Sequence, residues 1–171
     1  PYGSFSGDMY FEGQELRLSN TRDSEDVGIR IIHQELALVR QMTVAENIFL
    51  GAEPTGMGVV QTMKLNSQAR ELLDRIGLDI PETTLVGDLA IGQQQMVEIA
   101  KALRGTLKLL ILDEPTSALN EIEVETLMRT LHELQNRGVT CIYISHKLDE
   151  LFEITDRITV IRDGQHVDTQ P

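Results

Sequence analysis

The sequence has 171 residues, with 15 Lys and Arg against 27 Asp and Glu, a formal charge of −12. That excess of acid argues against a protein that tracks nucleic-acid phosphates, which needs clustered cations to release counterions, and no window here is a basic run. A hydrophobic share of 41% and a charged share of 25% exclude an extensively disordered chain, and no uncharged stretch approaches the length of a membrane span.

The segment Pro1-Tyr2-Gly3-Ser4-Phe5 is neither a signal peptide nor a natural start, since Met is missing, so the sequence reads as a cut piece of a longer chain. Asp8 to Phe11, Glu15 to Leu18 and Ile29 to Ile32 are short strand candidates, the last the most apolar. Gly51 to Gly58, with three Gly and one Pro, reads as a surface loop. Helical spacing then takes over. Leu65, Ala69, Leu72, Leu73 and Ile76 form one apolar face stopped at Gly77; Met96, Ile99, Ala100 and Leu103 form another, ending near Gly105. Three apolar runs dominate the second half: Leu107 to Leu112, Cys141 to Ile144, and Ile158 to Ile161. Each is nearly continuous rather than alternating, which predicts parallel strands covered on both faces. Between the first two, Val124, Leu127, Met128, Leu131 and Leu134 mark a helix over Glu121 to Gln135, stopped by Asn136-Arg137-Gly138. Leu148, Leu151 and Phe152 predict a short amphipathic helix, and Asp163-Gly164 a closing hairpin between Ile161 and Val167. The single Cys141 closes no intrachain disulfide and reads as a buried, inert thiol in a reducing compartment.

The chemistry concentrates where Leu109-Leu110-Ile111-Leu112 runs into Asp113-Glu114-Pro115-Thr116. In an open α/β sheet, ligand sites gather at the carboxyl ends of the strands, so an acidic pair there is placed for Mg²⁺ and an activated water. Asp113 suits the metal and Glu114 the water's proton; the competing reading is a strand that ends in a solvated acidic turn. One strand-helix-strand unit later, Tyr143-Ile144-Ser145-His146 ends the next strand, so a crossover brings His146 to the same sheet edge, within reach of a terminal phosphate. His33, His132 and His166 have no comparable company. Gln34, just past Ile29 to Ile32, offers its amide to a metal-bound or attacking water by the same logic. Leu89-Ala90-Ile91-Gly92-Gln93 precedes the helix of Met96 and Leu103, whose N-terminal amides face an anion or simply a cap. A phosphate cradle of the form G-x-x-x-x-G-K-[ST] is absent from these residues: no Gly is followed by Lys.

Taken in order, Gln34, Leu89 to Gln93, the Asp113-Glu114 strand, Ser117-Ala118-Leu119-Asn120 and His146 resemble the Q-loop, signature, Walker B, D-loop and H-loop of the ATP-binding cassette of ABC transporters. The strings Ile31-Ile32-His33-Gln34-Glu35-Leu36-Ala37-Leu38-Val39, Val86-Gly87-Asp88-Leu89, Gln93-Gln94-Gln95 and Ile161-Arg162-Asp163-Gly164-Gln165-His166 resemble bacterial monosaccharide importers, most closely those for D-xylose. The resemblance implies an α/β P-loop NTPase cassette, incomplete because it begins after the Walker A helix, with a parallel sheet core and a helical subdomain. It divides the chain into a β remnant ending at the Q-loop (1–34), a helical subdomain carrying the signature (35–105) and the rest of the ATPase core (106–171).

It further implies ATP and Mg²⁺ as ligands, with Asp113 and Gln34 at the metal, Glu114 as general base and His146 on the γ-phosphate. Leu89, Ala90, Ile91, Gly92 and Gln93 would serve the ATP site of a second cassette, and Ser117, Ala118, Leu119 and Asn120 would form the D-loop. The implied partners are the permease subunits in the membrane, that second cassette and, indirectly, a periplasmic sugar-binding protein, at the cytoplasmic face of the bacterial inner membrane, with no nucleic acid. Three departures stand out: Walker A and the aromatic that stacks on adenine are missing from these residues, the signature Ser is Ala90, and the usual D-loop Asp is Asn120. The alternatives are a soluble cassette ATPase of the repair or translation class and a docking fragment that never hydrolyses.

Overall fold

A computed structural model describes residues 7–171, so the reading of Pro1 to Phe5 lies outside the described residues. In chain order the elements are β1 (Tyr10–Phe11), β2 (Gln14–Glu15), α1 (Thr21–Asp26), β3 (Ile29–Ile32), α2 (Val44–Phe49), β4 (Thr55–Gly56), β5 (Val59–Val60), α3 (Thr62–Arg75), a 3₁₀ turn at Val86–Asp88, α4 (Ile91–Ala102), β6 (Leu109–Asp113), α5 (Glu121–Asn136), β7 (Thr140–Ile144), α6 (Leu148–Ile154), β8 (Ile158–Arg162) and β9 (Gln165–Gln170).

The central sheet is parallel with order β3-β6-β7. Its register sets Ile31 beside Ile111 and Ile111 beside Ile142, and it sets Ile32 beside Leu112 and Leu112 beside Tyr143. Successive side chains point to opposite faces. Ile32, Leu110 and Leu112 therefore enter one core with Leu127 and Leu131 of α5, the apolar stripe of a helix capped by Asn120. The opposite face is open among the described residues: Ile31, Ile142 and Ile144 are each nearly half exposed. This corrects the expectation of strands covered on both faces, because α5 covers one face only.

The third run is corrected as well. β8 does not join the parallel sheet; it pairs antiparallel with β9, and its side chains are mostly exposed. Asp163 and Gly164 both take positive φ, 52° and 74°, as a two-residue hairpin turn of the right twist requires, so the local turn recruits β8's partner.

The middle of the chain packs helix on helix. α2, α3 and α4 bury Val44, Ala45 and Ile48, Leu65, Ala69, Leu72, Leu73 and Ile76, and Met96, Ile99 and Ala100 in the same cluster. Asn47 is fully buried there yet satisfied: its Oδ1 accepts from Val39 N at 2.7 Å, and its Nδ2 donates to the carbonyls of Val39, Met42 and Thr43. That amide pins the loop before α2, which leads back to Gln34.

Smaller expectations shift. The first long strand is Leu109–Asp113 rather than Leu107 to Leu112, so Asp113 itself is in the ladder. The two earliest strands become Tyr10–Phe11 and Gln14–Glu15, and the Gly51 to Gly58 loop holds β4 and the turn of a hairpin whose second strand, β5, follows it. Phe152 stays 72% exposed instead of facing the core. α1 has no apolar period to announce it; it rests on a capping box in which Asn20 and Asp23 bond each other's backbone.

Candidate nucleotide site at the sheet edge

Parallel pairing brings the ends of β3, β6 and β7 to one edge. Asp113 pairs with Ile144, so the residues following each strand emerge side by side. Glu114 turns sharply there: its φ is 49°, a left-handed value unfavourable for an L-residue, and its amide donates to Ile144 O at 2.9 Å. This turn directs its side chain across the edge to His146. Glu114 Oε1 accepts from His146 N at 3.1 Å and lies 2.8 Å from His146 Nδ1. The carboxylate is largely sheltered while the imidazole is 77% exposed. Glu114 Oε2 is buried with no hydrogen-bond partner among the described residues.

Asp113 is half-buried at the same edge, and Gln34 is exposed two residues past β3, whose last residue Ile32 lies beside Leu112. Carboxylate and amide oxygens are hard donors, the type Mg²⁺ accepts while keeping several waters. The residues thus fit a Mg²⁺ bound by one or two protein ligands together with substrate oxygens. Among the described residues no group of three or more His, Cys, Asp or Glu is arranged to hold a metal by itself.

Behind the edge lies a second layer that the sequence did not disclose. Thr116, 1% exposed, donates to Glu150 at 2.8 Å, Tyr143 Oη donates to Glu150 Oε2 at 2.8 Å, and Lys147 Nζ sits 3.1 Å from Glu150 Oε1. Burial alone would raise the Glu150 pKa, but hydrogen bonds from Tyr143, Thr116 and Lys147 outweigh it and hold the carboxyl below its ordinary value. Burial and the neighbouring Glu150 carboxylate push the Tyr143 phenol up. Burial also raises the half-buried Cys141 thiol to about 11.

The other candidates lie around the start of α4 and α5. Ser117 N donates to Glu114 O at 3.3 Å, Ala118 lies between Ser117 and the half-buried Leu119, and Asn120 caps α5. Asn120 Oδ1 accepts from Glu123 N, and Asn120 N donates to Glu123 Oε2, so Asn fills the cap that Asp would fill. Ala90 is the N-cap of α4 and has no side-chain acceptor; Gln93 Oε1 partly compensates by accepting from Ala90 N at 3.2 Å. Gln94 Nε2 donates to Leu89 O, Ile91 is exposed and Gly92 is buried. The hydrogen bonds of Leu89 to Gln94 stay within this turn and do not reach Asp113, Glu114 or His146.

A parallel sheet with a strand-terminal Asp-Glu pair, a His on the neighbouring strand and a packed helical group defines a class. The chain belongs to the ABC transporter family, whose sequence profile matches residues 2–117, and it has the α/β fold of the family's P-loop ATPase cassette. The "Xylose import ATP-binding protein XylG" of Geobacillus kaustophilus (strain HTA426) is 51% identical over 169 residues, 99% of this chain and 34% of its own length. The protein of the same name from Escherichia coli (strain K12) is 52% identical over 170 residues, 99% of this chain and 33% of its own length. The chain therefore spans about a third of the curated relatives it matches. Among solved structures, the ATP-binding cassette MJ0796, in a dimeric post-hydrolysis state bound to ADP and Pi, superposes with a TM-score of 0.81 at 23% identity, over 96% of this chain and 73% of that one. The ADP conformation of the cassette MJ1267 gives 0.76 at 24% identity, over 96% and 68%. At those identities the likeness is one of fold.

Proposed function

We propose that this chain is part of the ATP-hydrolysing subunit of a bacterial importer of D-xylose, acting at the cytoplasmic face of the inner membrane. The observation that carries the reading is the Glu114-His146 pair, 2.8 Å apart at the sheet edge beside Asp113, with Glu114 Oε2 buried and unpaired. With Oε1 oriented by His146, Oε2 is sheltered from solvent in this structure and keeps its lone pairs for the proton of a water brought in with substrate. His146, exposed beside it, would donate a hydrogen bond to the terminal phosphate of ATP. Asp113 and Gln34 would hold Mg²⁺, which when bound neutralises charge on the phosphate oxygens.

Identity near 50% to proteins named for xylose import supports the substrate. The implied partners are the sugar permease subunits, a second cassette and, through them, a periplasmic sugar-binding protein. Leu89 to Gln93 would face that second cassette's nucleotide. No described helix is long and apolar enough to cross a membrane, in keeping with a peripheral subunit. The test is ATPase activity of the full-length subunit assembled with its permease. Glu114→Gln, which removes the base and keeps the shape, is expected to lower turnover by about 10²–10⁴ with ATP binding retained. Near-normal turnover in that variant would overturn the reading.

A further inference from the structure

We propose that Glu150 is a positioning residue for the hydrolytic site, clamping the backbone that follows Glu114 to the backbone that follows His146. This deepens the reading above and rests on it. Thr116 lies two residues beyond Glu114, and Lys147 follows His146 directly. Glu150 binds both, accepting from Thr116 Oγ1 at 2.8 Å and pairing with Lys147 Nζ at 3.1 Å. Lys147 closes the ring by donating to Thr116 Oγ1 at 3.1 Å, and Tyr143 Oη fixes the second carboxylate oxygen at 2.8 Å. The front contact between Glu114 and His146 thus has a rear brace made of four side chains.

Two features argue that the brace serves geometry rather than stability alone. Glu114 holds a left-handed φ of 49°, and such a backbone persists only where its surroundings over-determine it. The brace anchors the chain two residues away. In addition, the Glu150 side chain is only 12% exposed. Its Lys147 partner is 41% exposed, and an ion pair half open to solvent adds little stability, whereas the directional bonds to the sheltered carboxylate fix a unique arrangement. Glu150 touches neither Glu114 nor His146 through any hydrogen bond, so it acts through Thr116 and Lys147.

The experiment uses the full-length subunit in complex with its permease, with MgATP turnover normalised to the number of nucleotide-binding sites counted by titration. Glu150→Ala is expected to lower kcat per site at least tenfold with KM for MgATP within twofold of wild type. Glu150→Gln, whose amide oxygen still accepts from Thr116 and Tyr143 but whose neutral amide loses the ion pair with Lys147, is expected to recover kcat in part, to between the Glu150→Ala value and about threefold below wild type. A kcat within twofold of wild type in Glu150→Ala, or a loss that comes wholly from fewer binding sites, overturns the proposal. If Glu150→Ala does not fold, Tyr143→Phe deletes one bond of the brace and is expected to lower kcat two- to fivefold at constant KM; an unchanged kcat overturns the proposal in the same way. Wild-type turnover that Glu114→Gln abolishes and the Glu150 and Tyr143 variants leave intact overturns this inference alone. A wild-type complex without turnover overturns the functional reading and this inference together.

Discussion

The carboxylate of Glu123 lies against Gly92, so close that a Cβ on Gly92 would overlap both of its oxygens. Gly92 is the second residue of α4 and Glu123 caps α5 through its bond from Asn120 N, so the lack of a side chain at 92 preserves a cap on another helix. Gly92→Ala should push the flexible carboxylate aside and break that bond, at a cost of about 0.5–1.5 kcal/mol. Glu123→Ala should cost a similar amount. Because both changes release the same cap, the double variant should lose about as much as either single one. Urea unfolding of the four proteins checks this, and full additivity would count against the coupling.

The same contact limits what a charge placed at Gly92 can test. An acid at Gly92 would repel phosphate and also disturb the Asn120 cap in its own chain. A cleaner change is Ala90→Ser. Ala90 has N-cap backbone angles, φ −61° and ψ 154°, but no side-chain acceptor. A Ser hydroxyl there should accept from the first turn of α4 and stabilise the protein by about 0.5–2 kcal/mol. Thermal unfolding should show a rise of roughly 2–4 °C for each kcal/mol gained. An unchanged or lower Tm would contradict the N-cap assignment.

Two unequal ATP sites follow if the signature of this chain serves the second cassette. Ala90 lacks the hydroxyl a signature Ser would give the γ-phosphate, and a lost hydrogen bond to a charged group is worth about 1.5–3 kcal/mol. In the intact importer Glu114→Gln should therefore be severe, whereas Ala90→Ser should speed the slower site. Single-turnover hydrolysis, resolved into two phases, provides the measurement, and equal phases would refute the asymmetry.

Acid should weaken the brace behind the sheet edge. The Glu150 pKa is held below its ordinary 4.5, so its stabilising contribution is complete above that value and is lost as pH falls through the folded one. Glu150→Gln carries no such proton. Its stability relative to wild type should improve steadily as pH drops below about 4.5. Urea midpoints measured between pH 3 and pH 7 test the sign; parallel curves would show that Glu150 does not contribute.

The open face of the sheet should make the 171-residue chain associate. Ile31, Ile142 and Ile144 form an exposed apolar strip over β3 and β7, the kind of surface that drives self-association. Sedimentation should show mass rising with concentration, and Ile142→Gln with Ile144→Gln should suppress it with little change in Tm. With no Gly followed by Lys among its 171 residues, the same preparation should bind MgATP more weakly than micromolar, which calorimetry can measure.

The sequence by itself determined the parallel strands at Leu109 and Cys141, the helix between them, and the arrival of Asp113, Glu114 and His146 at one edge. Those follow from runs and spacings within one strand-helix-strand unit, where chain connectivity leaves little choice. The helices of Leu65 to Ile76 and Met96 to Leu103 were legible for the same reason: a 3.6-residue period is a local property. Only the tertiary structure decided that Ile142 faces outward while Tyr143 faces the core, since a continuous apolar run gives both faces of a strand the same character. The Asp163-Gly164 hairpin was legible locally, and what the tertiary structure decided is that β8 stays in that hairpin and outside the parallel sheet. Glu150 was silent in the sequence because its partner Thr116 lies 34 residues away and the bond depends on how α6 docks against α5. Gly92 and Glu123 meet for a comparable reason: two helix starts, each readable alone, are brought together only by packing, and no periodicity records which carboxylate will rest on which glycine.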